Sequence, residues 1–374
     1  MRPGGLFAPS IALLATLVSL SAQSATGARR DGKHLFEKHT FGGNGRTCLT
    51  CHSRDTGTVS PQNAAQRFQL DAADPLFAHD GSDDGRGNGV TRMLTSATIR
   101  MEIPLPPNVT LADDPAARSV TVFRGIPTTL NTPALDPVLM FDGRQPTLQL
   151  QAAGAIRDHA QPLESASADD LNRIAEFQLT DAFFSSVELR NFARGAAPPA
   201  LPAGTTAAER RGRRFFEDLP PGPDLKNGIC AICHSGPLLN QTNRFLSLFG
   251  VSLPPGSRFQ SVLVSELNRA GNPVRHFLFR NANGTTSHVF SPDPGRALIT
   301  GIANDFGTFD SRNAFKISVL RGVRLTAPYF HDNSAPTLEA VMDHYADFFA
   351  IITGGLLILT PQDRADMAAF MKLL

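Results

Sequence analysis

The four cysteines of the chain fall into two copies of one short motif, and this duplication limits the fold more than any other feature. The copies are Cys48-Leu-Thr-Cys51-His52 and Cys230-Ala-Ile-Cys233-His234, and no cysteine lies outside them. A Cys-x-x-Cys-His run places two thiols to form thioethers with the vinyl groups of a haem, while the adjacent histidine reaches the iron. The motifs therefore predict two covalent haems c, with His52 and His234 as proximal iron ligands.

Three other interpretations of the cysteines are open. Each close pair is able to form a disulfide in an exported protein, but this leaves both histidines unexplained. A thioredoxin-type redox pair would require a βαβ context that the sequence lacks. A zinc site built from both motifs would compete with a haem-attachment signature in an exported chain.

The amino terminus has the layout of a secretory signal peptide. Met1 and Arg2 precede an apolar run over residues 6–20, and small residues follow between Ala22 and Gly27. The run contains a proline and a serine and is shorter than the roughly 20 apolar residues of a membrane-spanning helix. We therefore expect residues 1–25 to be removed on export, which gives a periplasmic or secreted protein without a membrane span.

The remaining chain is longer than one hydrophobic core usually serves, so two domains are expected. Each motif follows a similar lead-in, which begins at His34 in the first copy and at Arg214 in the second and indicates a duplicated module. The Ala/Pro/Gly-rich segment Gly195–Gly204 is a natural linker. These features predict a mainly α protein of two cytochrome c-like domains with long loops, residues 26–204 and 205–374, each holding one covalent haem c.

Helical patterning is clearest near the carboxyl terminus. There a helix start at Thr360-Pro361-Gln362-Asp363 precedes an apolar stripe formed by Met367, Phe370, Met371 and Leu374. The segment Thr337–Phe349 has a similar stripe and also predicts a helix. Short alternating runs at Ser119–Phe123 and Ser261–Val264 predict strands.

Several further segments occur in an order that is typical of one family. In the first half they are Phe41-Gly-Gly-Asn-Gly-Arg46, Arg124-Gly-Ile-Pro127-Thr128 and Phe141-Asp142-Gly143-Arg144. In the second half they are Cys233-His234-Ser235-Gly236-Pro237, Phe315-Lys316 and Pro328-Tyr329-Phe330-His331-Asp332. With these segments the chain resembles the bacterial di-haem cytochrome c peroxidase and MauG family over nearly all of its mature length.

The resemblance implies a division of labour between the two haems. It makes the haem of His52 the one that meets peroxide and the haem of His234 the one that passes electrons. We therefore expect reduction of hydrogen peroxide with electrons from a small cytochrome c or cupredoxin. The alternatives are MauG-like oxidation of a partner protein and a di-haem electron carrier without peroxidase activity. The net charge of +1 argues against a nucleic-acid partner.

One departure from the family concerns proton transfer. Family members usually have a glutamate ten residues after the glutamine of a Gln-Ala pair, where it moves protons during O–O cleavage. Counting from Gln151, this position is Gln161, and an amide is neither an acid nor a base near neutral pH. Either His159 or Glu164 replaces the glutamate, or the first is a loop histidine and the second a surface glutamate.

Two further departures lie between the predicted haems. The aromatic residue before Asp-Gly-Arg is commonly tryptophan in the family and relays electrons, whereas here it is Phe141 and the chain has no tryptophan. The asparagine that helps to bind the family's calcium falls at Gly125. Calcium is therefore an unsupported expectation.

The resemblance also suggests distal ligands for both irons. At the second haem this ligand is methionine in typical peroxidases and tyrosine in MauG-type enzymes, and eight residues after Thr337 lies Tyr345. Met342 competes for this role, and the remaining alternative is a Tyr345 that only packs against its neighbours. At the first haem His79 is the distal candidate, against a solvated loop histidine.

Overall fold

The computed structural model describes residues 31–133, 135–249, 253–268, 272–303 and 312–374. The predicted signal segment, residues 1–25, lies outside the described residues. Across the described ranges, no helix has both the length and the apolar character that crossing a membrane requires.

Helices account for about 37% of the structure. The α-helices are α1 (residues 31–37), α2 (Cys48–Cys51), α3 (Pro61–Leu70), α4 (Thr91–Ser96), α5 (Leu148–His159), α6 (Ala168–Thr180), α7 (Val187–Ala193), α8 (Ala207–Arg213), α9 (Val264–Leu267), α10 (Ala297–Thr300), α11 (Leu338–Ile352) and α12 (Pro361–Met371). The strands are β1 (Thr98–Pro104), β2 (Val109–Leu111), β3 (Ser119–Gly125), β4 (Phe259–Gln260), β5 (Arg275–Arg280), β6 (Thr286–Ser291) and β7 (Phe315–Lys316).

The helices predicted near the carboxyl terminus are confirmed. Thr360 caps α12 by accepting from the backbone N–H of Asp363, whose side chain accepts from the Thr360 backbone in return. Thr337 caps α11 through its hydroxyl, which accepts from the backbone N–H of Ala340. Both starts were predictable because a cap depends on residues only three positions apart.

One strand prediction is confirmed and the other is wrong. Strand β3 contains the predicted run Ser119–Phe123 and pairs with β1 in an antiparallel sheet. The run Ser261–Val264 is not a strand, because β4 ends at Gln260 and α9 begins at Val264. Between them Leu263 has a φ of 62°, in the left-handed region, which ends the extended backbone.

The two halves repeat one helix crossing. In the first half Gly32 on α1 faces α6, and a Cβ at this glycine would lie 2.2 Å from the carbonyl oxygen of Arg173. In the second half Gly212 on α8 faces α12, and its Cβ would lie 2.0 Å from the carbonyl oxygen of Asp366. Only glycine permits such a close approach of two backbones. The repeated crossing agrees with the duplication predicted from the haem motifs.

Three hydrophobic cores hold the described chain together. One surrounds α1, α5 and α6, and another surrounds α8, α11 and α12. The third combines α4, β1 and β3 with strands β5 and β6, which lie after the predicted linker. Strand β2 pairs with β5 antiparallel, with Val109 opposite Phe279. The third core therefore contains residues from both sides of the predicted boundary, and the division into 26–204 and 205–374 stays a prediction.

A buried ionic cluster also joins the two halves. The guanidinium of Arg124 donates to Asp142 at 2.5 Å and to both carboxylate oxygens of Asp293 at 2.6 and 2.9 Å. The three side chains are at most 2% exposed. Arg124 lies on β3, so this cluster ties the β1–β3 sheet to the segment that follows β6.

Two candidate haem sites

Each Cys-x-x-Cys-His motif lines a cavity of its own. The first cavity lies beside Cys48, Cys51 and His52 and, together with its opening to solvent, spans about 650 Å³. The second lies beside Cys230, Cys233 and His234 and, with its opening, spans about 1430 Å³. The walls of both are largely apolar. A flat apolar group attached to the cysteines would therefore complete the core around it.

The two motif histidines are held in the same way. In the first site Nδ1 of His52 donates to the carbonyl oxygen of Gly57, and in the second Nδ1 of His234 donates to that of Leu239, both at 2.8 Å. The hydrogen bond fixes each ring through Nδ1 and leaves Nε2 of His52 as the free nitrogen, whereas the ring of His234 also interacts with the Ser318 backbone. Burial lowers the pKa of both rings and so favours neutral imidazole, which is the form that binds a metal.

The four thiols are unpaired in the structure, which gives no support to the disulfide alternative. Burial raises the pKa of Cys48 to about 12, and the neighbouring Cys51 adds to the shift. The motifs line different cavities, and the described residues contain no cluster of three or more histidine, cysteine or acidic side chains able to hold a metal ion. Two thiols and an oriented neutral imidazole at each cavity fit covalent haem c.

The first cavity has a second oriented histidine. His159, the last residue of α5, lines the cavity, and its Nδ1 donates to Asp80 at 2.5 Å. Asp80 also pairs with Arg46, and both side chains are at most 6% exposed. Burial alone would raise the pKa of Asp80, but the hydrogen bond from His159 and the charge of Arg46 outweigh it and hold this pKa below its usual range.

The structure places the other predicted proton-transfer residues away from the cavity. Gln161 is exposed, and its amide oxygen accepts from Asn44 at 3.2 Å. Glu164 is also exposed. Among the described residues that line the first cavity, neither of the two is present. The catalytic role of Gln161 stays a prediction that this geometry does not favour.

His79 also lies off the wall of the first cavity. Its Nδ1 is 3.9 Å from a carboxylate oxygen of Asp80, the residue that accepts from Nδ1 of His159. His39 lines the cavity instead. Sequence reasoning missed His39, Arg46 and Asp80. Of these three, only Arg46 could have been found from the sequence, because it is the last residue of the family-like segment that begins at Phe41.

At the second cavity α11 supplies both predicted distal ligands. Met342 and Tyr345 line the cavity, and the ring centroid of Tyr345 is 6.0 Å from those of Phe348 and Phe349. Burial raises the pKa of Tyr345, and the nearby thiols of the second motif add to the shift. Within the described residues its hydroxyl has no hydrogen-bond partner. The structure thus brings Tyr345 to the site, and the choice between it and Met342 stays open.

The corresponding helices differ at one position. Thr147 caps α5 as Thr337 caps α11, and the residues eight positions after these caps are Ala155 and Tyr345. Ala155 lines the first cavity and Tyr345 lines the second. A methyl group thus stands in the first site where a phenol stands in the second. The side chain eight positions after the cap is therefore much smaller in the first site than in the second.

The surroundings of Gly125 do not fit calcium. A Cβ at Gly125 would lie 2.2 Å from Oδ1 of Asn333, so the Asn333 amide fills the space of a side chain at this position. Nδ2 of Asn333 donates to the carbonyl oxygens of Ser96 and Ala97 at 2.9 and 3.0 Å. An amide that uses its N–H groups in this way occupies two oxygens that a cation would need.

Phe141, at the position where the family commonly has tryptophan, lines the second cavity.

Comparisons with known proteins agree with the predicted resemblance. No protein-family model matches the chain. In sequence the chain is 26% identical over 232 residues to a cytochrome c551 peroxidase of Nitrosomonas europaea, an alignment that covers 58% of this chain and 56% of the relative. The chain therefore spans about half the length of this curated relative. In structure it matches a MauG-like protein associated with microbial copper homeostasis with a TM-score of 0.51 and 18% identity, over 93% of this chain and 89% of the other. The structural match shows that this chain and the MauG-like protein share a fold.

Proposed function

The chain resembles the di-haem peroxidases and MauG-like proteins in sequence and fold, and from this premise we propose a periplasmic di-haem c-type oxidoreductase that reduces hydrogen peroxide. The reaction takes place at the first cavity, and electrons enter through the haem of His234. Two molecules of a small cytochrome c or cupredoxin each donate one electron per cycle, and these electrons combine with hydrogen peroxide and two protons to give two molecules of water.

The observation that carries this proposal is the contrast between the two cavities. The first cavity combines the small side chain of Ala155 with the oriented ring of His159. The second has Tyr345 at the position that corresponds to Ala155. A site for peroxide requires space for a small molecule and a group that moves a proton. Both features occur together in the first cavity, which supports peroxide chemistry there.

A haem bound in the first cavity supplies an iron that binds peroxide and takes part in electron transfer. The protein contributes position and proton transfer. His52 would hold the iron through Nε2, because its Nδ1 donates to the Gly57 carbonyl oxygen. His159 presents its own Nε2 to a molecule in the cavity because Nδ1 is tied to Asp80. The apolar wall formed by residues such as Ile156 and Ile174 limits access of bulk water.

The test is addition of hydrogen peroxide to the purified di-haem protein, fully ferric and half-reduced, with reduced cytochrome c as donor. We expect a rapid spectral change and the oxidation of two cytochrome c molecules per peroxide. An unchanged spectrum in both states, with two six-coordinate haems, would contradict the proposal and favour an electron carrier.

A second candidate function follows from Tyr345. A tyrosine ligand favours ferric and higher oxidation states of haem iron, which suits an enzyme that oxidises a side chain of a partner protein. Tyr345 lines the second cavity beside the cysteines that would attach the haem. This MauG-like function would appear as oxidised side chains in a co-encoded exported protein, detected by mass spectrometry after peroxide is added to the mixture. The peroxidase proposal expects no such product.

A further inference from the structure

The buried carboxylate of Asp80 connects His159, at the wall of the first cavity, to Arg46. Its two oxygens are shared between two partners, because Oδ2 accepts from Nδ1 of His159 at 2.5 Å and Oδ1 accepts from Arg46. Arg46 in turn donates to three carbonyl oxygens of the segment before Asp80, those of Pro75, Leu76 and Ala78 at 2.8, 2.9 and 2.5 Å. Arg46 thus holds both the carboxylate and the loop that carries it.

This arrangement decides which nitrogen of His159 carries the proton. The ionised carboxylate of Asp80 accepts hydrogen bonds and donates none, so Nδ1 of His159 must hold a hydrogen. In the neutral ring Nε2 is then an unprotonated acceptor. Within the described residues no group forms a hydrogen bond with Nε2 of His159. It is therefore the atom that faces an incoming acidic molecule.

We infer that Asp80, held by Arg46, is a positioning residue that keeps His159 in the tautomer and orientation of a proton acceptor for the first cavity. The inference rests on the proposed function and deepens it. In peroxide reduction Nε2 takes one proton from the bound hydrogen peroxide and returns it to the oxygen that leaves as water. His159 thus ends each cycle as it began, and the electrons come from the haems and their donor.

The experiment separates this role from peroxidase activity by using cyanide. Hydrogen cyanide must lose a proton when cyanide binds ferric haem, so the binding rate reports a proton acceptor in the cavity. We would measure this rate by stopped flow in the holoprotein and in Asp80→Asn, His159→Ala and the double variant. The matched control is Asp158→Asn, because Asp158 lies next to His159 but is exposed and pairs with Arg157.

We expect His159→Ala to slow cyanide binding by about 100-fold or more, because it removes the proton acceptor. Asp80→Asn should slow it by about 10- to 100-fold, because it removes the partner that orients the acceptor. The double variant should be no slower than His159→Ala, and Asp158→Asn should match wild type. A wild-type rate in Asp80→Asn would overturn the inference. So would an equal further loss when Asp80→Asn is added to His159→Ala, because Asp80 would then act without His159.

A second variant and a haem assay distinguish a lost role of Asp80 from a protein that does not fold. Asp80→Asn leaves the buried charge of Arg46 without its partner, so Asp80→Asn with Arg46→Gln removes both charges and tests the same step if the single variant does not fold. Haem content by pyridine haemochrome assay identifies folded, loaded protein. If wild type binds cyanide rapidly but does not reduce peroxide, the proposed function fails while the role of Asp80 is still measured.

Discussion

At the scale of single residues, the second cavity contains two side chains able to bind iron from the same helix. Tyr345 and Met342 are three positions apart on α11 and both line the cavity. A phenolate oxygen lowers the reduction potential of haem iron and a thioether raises it. The identity of this ligand therefore decides whether the haem of His234 holds oxidising equivalents or passes electrons at higher potential.

Tyr345→Phe tests this choice with little change in packing. The variant removes only the hydroxyl, which has no hydrogen-bond partner among the described residues, and keeps the ring beside Phe348 and Phe349. We expect a change in the optical spectrum and a higher potential of the His234 haem, measured by redox titration. Met342→Leu is the matched control and should leave both unchanged. The opposite pattern would identify Met342 as the ligand.

The sequence identified single residues where neighbours along the chain define the chemistry, and it missed those that meet only in the fold. His52 and His234 follow their cysteines directly, so their environments were predictable from the motif. Asp80 is separated from His159 by 79 positions, and no spacing rule connects a loop aspartate to the end of α5. Gln161 was singled out by counting along the chain, but its left-handed backbone, with φ of 49°, turns away after the helix.

At the scale of elements, the packing of α8 on α12 depends on one glycine. A Cβ at Gly212 would lie 2.0 Å from the carbonyl oxygen of Asp366, and a backbone atom cannot rotate aside. We expect Gly212→Ala to separate the helices and to lower the free energy of unfolding by about 1–3 kcal/mol, the usual cost of overpacking. The measurement is the urea denaturation midpoint of the holoprotein.

The control for this prediction is another helical glycine. At Gly154 on α5 a Cβ would meet Nε2 of Gln145 at 2.8 Å, which is the end of a flexible side chain and is able to move. Gly154→Ala should therefore have a neutral or slightly stabilising effect. Equal losses in both variants would show that close backbone approach is not what Gly212 permits.

The helices and strands also differ in how well local sequence patterns predict them. Capped helices such as α11 and α12 were predictable because their signals lie within one turn. Strands β5 and β6 were not, although Phe277 and Phe279 are fully buried. Their burial depends on β2 and the rest of the third core, which come from the other half of the chain. An alternating pattern cannot indicate a partner so far away.

At the scale of the whole molecule, the two halves are joined by charges as well as by the third core. Arg124 on β3 binds Asp142 and Asp293 in a cluster that is almost wholly buried. Burial alone would raise the pKa of both carboxyl groups, but the guanidinium outweighs it and holds each pKa below its usual range. Both groups therefore remain ionised, and salt bridges connect the two halves at this junction.

This junction predicts how stability depends on pH. An aspartate has a pKa of about 3.9 in an unfolded chain, and the folded value is lower for Asp142 and Asp293. Their contribution is therefore fully present above about pH 4 and is lost as the pH falls through the folded pKa. Asp293→Asn should lower the free energy of unfolding at pH 7 by up to about 3–5 kcal/mol, because Arg124 is left with Asp142 alone.

The measurement is urea denaturation of wild type and Asp293→Asn at pH 7 and at progressively lower pH. We expect the difference between the two proteins to shrink as the pH falls, since acid removes the same charge that the substitution removes. Asp113→Asn is the matched control, because Asp113 pairs with Arg275 at the surface, where solvent screens the interaction. A difference that stays constant with pH would show that Asp293 acts through its shape rather than through its charge, and the junction would then not be electrostatic.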